Sequence, residues 1–267
     1  MKIVAVLGLG EAGALYARGF RDAGYEVAGY DPFTTLGDRD IRQEADLAAT
    51  VGGAELVISL VGARAAAAVA NDAFPLLDAG TVYADLNTGS PALKAQLEEG
   101  AASANVLFAD VAVLAPVPRA GVRTPLMASG KGAERFRELV MSAGTPVDAI
   151  GGAAGDAAAR KLLRSVFMKG LAAVVIESVG AAERAGADTW LREQIVLELS
   201  GDANVLIQRL IDGSRLHAER RAHEVEDAQA YLDELGQPTW MSAATIQWFA
   251  QLLHEADPAH SSEGAHA

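Results

Sequence analysis

The sequence predicts an α/β domain with a doubly wound, mostly parallel sheet, followed by an all-α domain. In the first half, short runs rich in β-branched residues alternate with alanine-rich stretches of helical character. Several of these runs are apolar at every position, as expected of strands that are buried on both faces of a parallel sheet. From Asp156 to near Leu253 the apolar residues recur at helical spacing, so no strand is predicted there.

Strands and helices are predicted to alternate through the first half. The predicted strands are Ile3–Gly8, Glu26–Tyr30, Leu56–Val61, Val82–Leu86, Val106–Val113, Leu126–Ser129 and Val147–Ile150. Helical segments such as Glu11–Ala23 and Ala63–Ala73 fall between strands, which makes repeated βαβ units the natural arrangement.

The second half is predicted to be a set of helices separated by Gly213, Gly236 and Pro238. The first helix starts at Asp156 and ends at Gly186, with one apolar face formed by Leu163, Phe167, Leu171, Val174, Val175 and Ser178. The others are Thr189–Leu199, Ala203–Leu210 with an extension to about Asp212, Ala218–Leu235 and Met241–Leu253. We therefore expect domains at residues 1–154 and 155–256, and a flexible tail at residues 257–267.

Composition excludes several kinds of function. The chain of 267 residues has no cysteine, which removes disulfides, thiolate metal sites and cysteine nucleophiles and is compatible with a cytoplasmic location. Its net charge of −13 repels phosphate backbones, so we expect no nucleic-acid partner. No cluster of His, Asp or Glu has the spacing of metal ligands, so no metal is expected.

We also expect no membrane partner. The alanine-rich run Ala65–Ala70 is far shorter than the about 20 apolar residues that span a bilayer. The segment Met1–Gly8 is interpreted as a first strand rather than a signal, because it runs directly into a glycine-rich turn.

The turn after the first strand has the pattern of a phosphate-binding loop. Gly8-Leu9-Gly10-Glu11-Ala12-Gly13 fits G-x-G-x-x-G, follows an apolar strand and opens an alanine-rich helix. Its glycines permit a tight turn, a close approach of the backbone to a pyrophosphate, and close helix–strand packing. Because amides at a helix start point toward bound phosphates, these six residues are predicted to bind a dinucleotide in a Rossmann domain.

Asp31 ends the second strand, at about the spacing of 20 residues expected for the acid that binds the adenosine ribose. Its carboxylate can accept both ribose hydroxyls and would repel a 2′-phosphate. The following Pro32-Phe33-Thr34-Thr35 contains no Arg or Lys, so NAD is favoured over NADP. A methyltransferase with an adenosyl cofactor is an alternative, which the third glycine of the turn makes less favourable.

From Gly8 onward the chain resembles the β-hydroxyacid dehydrogenases, which include 3-hydroxyisobutyrate and 6-phosphogluconate dehydrogenases. The segment Asp85-Leu86-Asn87-Thr88-Gly89-Ser90-Pro91 is similar to the family's D-x-S-T-x-S-P segment beside the nicotinamide, with Asn87 in place of serine. Ile58-Ser59-Leu60-Val61 resembles the strand and loop along the cofactor path. The resemblance implies that Leu60, Val61, Asn87 and Thr88 contact the cofactor, and that Asn87 also contacts the substrate.

The segment Gly151–Lys161 resembles the family's catalytic segment, a glycine-rich turn that leads into a long helix. Lys161 matches the catalytic lysine. Oxidation of an alcohol needs a base for the hydroxyl proton, and the reverse reaction needs an acid that stabilises the developing alkoxide. The alternative is that Lys161 is a surface charge on an amphipathic helix.

The chain departs from the family in the loop that holds a substrate carboxylate. The family pattern D-x-P-V-S-G-G is replaced by Asp110–Pro116, where Leu114 stands for the serine and Pro116 has no amide hydrogen. We therefore do not expect this loop to hold a substrate carboxylate in the way that the family's loop does.

A second departure follows the lysine, where two asparagines of the family are replaced by Arg164 and Ser165. Arg164 lies one helical turn from Lys161 and is predicted to bind a substrate carboxylate in a bidentate contact, or alternatively to pair with a neighbouring acid. His223 falls where the family often has a second substrate-contacting lysine. It donates to a substrate oxygen, or it is a solvated helix residue. The segment Lys161–Gly170 resembles a less-studied branch whose helical domain has no assigned function.

Three functions stay open. The first is an NAD-dependent dehydrogenase acting on an alcohol/carbonyl pair, on a small molecule that carries a carboxylate, with Lys161 as general acid/base. The second is an imine reductase on the same fold, and the third is a non-catalytic NAD-binding sensor. Replacement of Lys161 separates an enzyme from a sensor. The resemblance also implies a homodimer formed through the helical domain.

Overall fold

The computed structural model describes residues 2–256. The chain divides into two compact units, the first ending at Ser165 and the second starting at Val166. The helix Asp156–Ala185 carries residues of both units. The domain boundary predicted at residues 154 and 155 lies just before this helix, and the predicted tail at residues 257–267 lies outside the described residues.

The first unit is built on an eight-stranded sheet with the order β3-β2-β1-β4-β5-β6-β7-β8. The strands are β1 Ile3–Leu7, β2 Glu26–Tyr30, β3 Arg42–Gln43, β4 Leu56–Ser59, β5 Val82–Asp85, β6 Leu107–Val113, β7 Leu126–Ser129 and β8 Val147–Ala149. All neighbours pair in parallel except β6 and β7. The strand order reverses beside β1, which is the position where doubly wound sheets bind nucleotides. The predicted fold class is confirmed.

Helices cover both faces of this sheet. They are α1 Glu11–Asp22, α2 Leu47–Val51, α3 Ala66–Ala73, α4 Pro91–Ser103, α5 Ala133–Val140 and the start of α6 Asp156–Ala185. Along β1, Val4 and Val6 belong to one buried cluster, whereas Ala5 and Leu7 belong to the other. This alternation follows from the pleat of the strand, which points successive side chains to opposite faces. It explains why the strand is apolar at every position.

The second unit contains the rest of α6 and four further helices. These are α7 Asp188–Leu199, α8 Ala203–Leu216, α9 Ala218–Glu234 and α10 Trp240–Ala256. A small apolar cluster of Ala218, Ala222 and Phe249 joins α9 to α10. The helical prediction is confirmed, but α8 continues four residues beyond the expected end at Asp212 because Gly213 is tolerated inside it.

The predicted apolar face of α6 is largely exposed. Leu163 is 72% exposed, Phe167 60% and Val174 45%. By length and composition α6 is also apolar enough to cross a membrane. Core helices of soluble proteins meet the same criterion, but they are mostly buried. In α6, 11% of the apolar 18-residue window is buried. Val166 and Ile176, which lie outside the predicted face, are exposed as well, at 75% and 71%. The helix is therefore apolar on several faces, and the prediction of one apolar face was too narrow.

Glu177 on α6 caps the start of α10. Its carboxylate accepts the amides of Met241 and Ser242 at 2.7 and 2.8 Å and the Ser242 hydroxyl at 2.6 Å. These amides have no partner within their own helix, and the negative charge faces the positive end of the helix dipole. Burial alone would raise the pKa of Glu177, but these hydrogen bonds outweigh it and lower the pKa below its usual value.

We expect Glu177→Gln to lower the free energy of unfolding by about 1–2 kcal/mol at neutral pH, because a neutral amide is a weaker cap. The folded pKa lies below the unfolded value, so the stabilisation by the carboxylate is fully present above the unfolded pKa and disappears as the pH falls through the folded pKa. Denaturant unfolding of both proteins at neutral and acidic pH measures this. Glu193→Gln, at an exposed position on α7, is the control. If Glu177→Gln lowers the free energy of unfolding by the same amount at both pH values, the prediction is wrong.

Candidate functional site

Two glycines of the first turn are required by close backbone contacts, and the third leaves open space. A Cβ on Gly8 would lie 2.5 Å from the carbonyl oxygen of Leu60, and a Cβ on Gly13 would lie 1.8 Å from that of Gly8. Gly8 also has a φ of +87°, which favours glycine. A Cβ on Gly10 would meet no protein atom within 4 Å. The turn is therefore tight on its protein side and open on the side where a ligand would approach.

The start of α1 presents unused amides to this open space. Gly10 is the N-cap residue and provides no side chain to cap the helix. The side chain of Glu11 is exposed and Ala12 packs with the core, so Glu11 and Ala12 can contribute to a phosphate site through their backbone amides. The amide of Leu9, which was also predicted to bind the cofactor, is instead donated to the Asp31 carboxylate. Backbone amides at a helix start bind phosphate well. The residues present therefore fit the pyrophosphate of a dinucleotide.

Asp31 is fixed beside the turn by three backbone amides. Its Oδ2 accepts the Leu9 amide at 2.8 Å, and its Oδ1 accepts the amides of Phe33 and Thr34 at 2.8 and 3.1 Å. A carboxylate has about four lone-pair positions, so at least one stays available for a ligand hydroxyl. The carboxylate is thus held in one orientation next to the phosphate-binding turn.

A groove of about 520 Å³ lies along this turn. Its lining includes five of the predicted cofactor residues, namely Gly8, Gly10, Asp31, Leu60 and Val61. Apolar side chains of the surrounding loops and helices complete the groove, including Phe33, Leu47 and Val69. This shape and lining suit the adenosine half of a dinucleotide.

A second, much smaller cavity of about 10 Å³ lies past the carboxyl end of β5, along the second half of β6 and against the first turns of α6. It brings together three residues predicted from the resemblance, Asn87, Thr88 and Lys161, and adds Asp110 and Ala112. Carboxyl ends of parallel strands are where ligands bind in open α/β sheets. The structure therefore places the predicted catalytic lysine beside the predicted nicotinamide loop.

The side chain of Asn87 is committed to the protein. Its Oδ1 accepts the Gly62 amide at 2.7 Å, and its Nδ2 donates to Ser59 Oγ at 2.9 Å and to Asp85 Oδ1 at 2.5 Å. Asn87 is 6% exposed, whereas the neighbouring Thr88 is exposed. Asn87 therefore joins the loops after β4 and β5, and Thr88 is the better placed of the two to meet a ligand.

Three buried charges below this cavity were not predicted as a unit. Lys94 of α4 donates to the carbonyl oxygen of Asp85 at 3.1 Å, to its Oδ2 at 3.0 Å and to the carbonyl oxygen of Asn87 at 2.8 Å. Asp110 Oδ1 lies 3.3 Å from the same ammonium, and all three charged side chains are 1% exposed. The available indication in the sequence was an aspartate at the end of one apolar strand and a second aspartate within the next.

Asp110 also caps the helix that carries Lys161. Its Oδ2 accepts the amides of Gly155 and Ala158 at 3.0 and 2.9 Å, and Ser129 Oγ accepts the Ala157 amide at 3.0 Å. Amides of the first helical turn have no partner in their own helix. The start of α6 is thus held by side chains of β6 and β7.

The remaining predicted site residues do not line the Lys161 cavity. Arg164 is exposed one turn further along α6, and Ser165 is half-buried. His223 belongs to α9 of the second unit and is exposed. Within residues 2–256 the structure groups no three His, Asp or Glu side chains that could hold a metal ion.

Two protein families match this chain. Residues 3–151 match the family described as NAD binding domain of 6-phosphogluconate dehydrogenase. Residues 182–252 match a family described as Domain of unknown function (DUF1932). The prediction of a helical domain without assigned function is therefore confirmed.

Individual proteins of known sequence or structure are also similar to this chain. An uncharacterized 28.5 kDa protein of Methanothermus fervidus is 29% identical over 152 residues, which cover 57% of this chain and 58% of that relative. A conserved hypothetical protein from Sinorhizobium meliloti 1021 is 28% identical with a TM-score of 0.61, over 100% of this chain and 91% of that one. A conserved protein of unknown function, whose structure shows similarity to 3-hydroxyacid dehydrogenases, is 27% identical with a TM-score of 0.62 over 94% and 97% of the two chains.

The fold is shared more widely. A reductive aminase from Aspergillus terreus, solved with NADPH, has a TM-score of 0.80 at 19% identity, over 96% of this chain and 94% of that one. The match to the NAD-binding family covers more than half of the chain, and it agrees with the glycine turn and the parallel sheet described above. The chain therefore belongs to the β-hydroxyacid dehydrogenase superfamily that includes 6-phosphogluconate dehydrogenase, and its first half is a nicotinamide-cofactor-binding Rossmann domain.

Proposed function

We propose that this protein is an NAD-dependent oxidoreductase that converts an alcohol and its carbonyl compound into each other, with Lys161 as general acid/base. The observation that carries the proposal is that Thr88 and Lys161 line one small cavity, which lies past the carboxyl end of β5. When bound along the groove of Gly10 and Asp31, the cofactor supplies or accepts a hydride. Lys161 Nζ takes the hydroxyl proton during oxidation and returns it during reduction.

The preference for NAD is supported by the fixed carboxylate of Asp31. Three backbone amides hold it beside the phosphate-binding turn, so it cannot easily turn away from a 2′-phosphate. A negative charge held in this place repels a second negative charge. Asp31 accordingly favours a ribose with free hydroxyls.

The proposed substrate carries a carboxylate that binds to Arg164. The loop that holds this group elsewhere in the superfamily is changed here, because the Leu114 amide donates to the Pro125 carbonyl at 3.0 Å and Pro116 has no amide hydrogen. Arg164 lies less than one turn after Lys161 on α6 and is exposed. A guanidinium binds a carboxylate in a bidentate contact. Ser165 and His223 are proposed to contribute polar contacts to the same substrate.

A second candidate, imine reduction, is favoured by the reductive aminases and imine reductases among the structures that share this fold. It uses the same hydride groove, with the proton delivered to nitrogen instead of oxygen. A panel of carboxylated alcohols, ketones and cyclic imines separates the two candidates.

We further propose that the protein is a homodimer that covers the apolar face of α6. Large side chains of this face are exposed, among them Leu163 at 72%, Phe167 at 60% and Val174 at 45%. Monomeric soluble proteins rarely expose a continuous apolar surface of this kind.

Sedimentation velocity tests the dimer. We expect a mass twice that of the 27.7 kDa chain, and dissociation in Phe167→Glu because a charge is costly in an apolar interface. Met141→Glu is the matched control, since Met141 is 71% exposed in the first unit. A wild-type chain that sediments as a monomer would refute the proposal.

We expect the wild-type protein to bind NADH more tightly than NADPH, and Asp31→Asn to reduce the difference because the repelling charge is lost. Titration of both cofactors, followed by nicotinamide fluorescence, measures the two dissociation constants. Tighter binding of NADPH by the wild-type protein would contradict the role given to Asp31.

We expect Lys161→Ala to lower turnover by about 10²–10⁴-fold while NADH affinity is retained, because a proton-transfer group is lost and the phosphate turn is intact. Gly10→Ala is the contrasting variant. Its Cβ meets no protein atom within 4 Å, so it should fold normally but lose NADH affinity. Tight NADH binding without turnover on any alcohol, ketone or imine would favour the sensor instead.

A further inference from the structure

The buried cluster of Lys94, Asp85 and Asp110 has no part in the proton or hydride transfer described above. Burial of an ammonium is costly unless it is paired and hydrogen-bonded. Here its three hydrogens have three acceptors, and a second carboxylate lies 3.3 Å away. The ammonium is thus fully hydrogen-bonded, whereas Asp110 Oδ1 has this charge contact but no hydrogen bond.

We propose that Lys94 is a positioning residue. It fixes the position of the nicotinamide loop at Thr88 relative to the start of the helix that carries Lys161. The inference deepens the proposed function and rests on it for the identity of the ligand. Its geometrical basis lies entirely within the first unit.

The first contact reaches the nicotinamide loop. Lys94 Nζ donates to the carbonyl oxygen of Asn87 at 2.8 Å, and Thr88 follows directly in the chain. The side chain of Asn87 is held by Gly62, Ser59 and Asp85 at the same time. Lys94 therefore anchors the peptide that presents Thr88 to the cavity.

The second contact reaches the catalytic helix. Lys94 Nζ lies 3.3 Å from Asp110 Oδ1, while Asp110 Oδ2 accepts the amides of Gly155 and Ala158. Lys161 is three residues beyond Ala158, which is less than one turn of an α-helix. Any shift of the Asp110 carboxylate is thus transmitted to the backbone that carries Lys161.

The charges make these two contacts depend on each other. Asp85 and Asp110 are direct partners in the register of β5 and β6, so their carboxylates are neighbours at the edge of the sheet. The positive end of α6 stabilises Asp110, but Asp85 has Lys94 as its counter-charge. Without Lys94 the two buried carboxylates repel each other, and the strand ends that support the cavity separate.

The test uses the full chain with three variants. Lys94→Met removes the ammonium, and Lys94→Met/Asp85→Asn removes it together with one carboxylate, so that the cluster keeps its formal charge of −1 and folding is not limited by repulsion. Lys131→Met, at an exposed position, is the matched control. The measurements are amide hydrogen exchange and the dissociation constants of NADH and of ADP-ribose, which lacks the nicotinamide.

We expect faster exchange at residues 86–90 and 155–162 in both Lys94 variants, with exchange in α1 unchanged. The NADH dissociation constant should rise about tenfold, because Thr88 is no longer held in place beside the nicotinamide, while that of ADP-ribose stays as in the wild type. Exchange and affinities equal to those of Lys131→Met would overturn the inference. A parallel loss of affinity for both ligands would overturn it as well, since it indicates general destabilisation. If the wild-type protein binds neither ligand, the proposed function fails, and the exchange pattern alone decides the inference.

Discussion

The carboxyl edge of the sheet depends on one electrostatic balance, between the buried ammonium of Lys94 and the carboxylates of Asp85 and Asp110. The register of two parallel strands forces these carboxylates together. Buried charges of one sign are tolerated only beside a counter-charge or a helix dipole, and here both are used. Elements that are distant in sequence, β5, α4, β6 and α6, are therefore constrained by a single group of charges.

Direct contacts also connect the loops that follow neighbouring strands at this end of the sheet. The Leu60 carbonyl lies so close to Gly8 that no side chain fits between them. The loop after Leu60 is bound by the side chain of Asn87, whose own carbonyl oxygen accepts Lys94. Lys94 then approaches Asp110, which caps the helix of Lys161. The phosphate-binding turn and the Lys161 cavity thus lie at opposite ends of one series of direct contacts.

The sequence predicted what depends on local patterns. Continuous apolar runs predicted the buried strands, and glycine spacing predicted the phosphate turn. The family resemblance predicted Thr88 and Lys161, which line one cavity. The burial of Lys94 could not be predicted, because it depends on which two strands are neighbours and in what register. The exposure of α6 could not be predicted either, since helical periodicity identifies apolar positions but not whether another surface covers them. The two-residue strand β3 is too short to show a periodicity at all.

The altered loop after β6 bears most directly on substrate choice. In place of a serine and a glycine the chain has Leu114 and Pro116, and the Leu114 amide extends the pairing of β6 with β7 by bonding to Pro125. Neither residue has an amide hydrogen left for an anion. The carboxylate proposed for the substrate would then bind to a cation, and Arg164 is exposed just beyond Lys161 on α6. A guanidinium reaches further than two backbone amides and fixes an anion in a plane. In the proposed reaction Lys161 keeps its part in proton transfer, while Arg164 replaces the loop after β6 as the group that binds the anion.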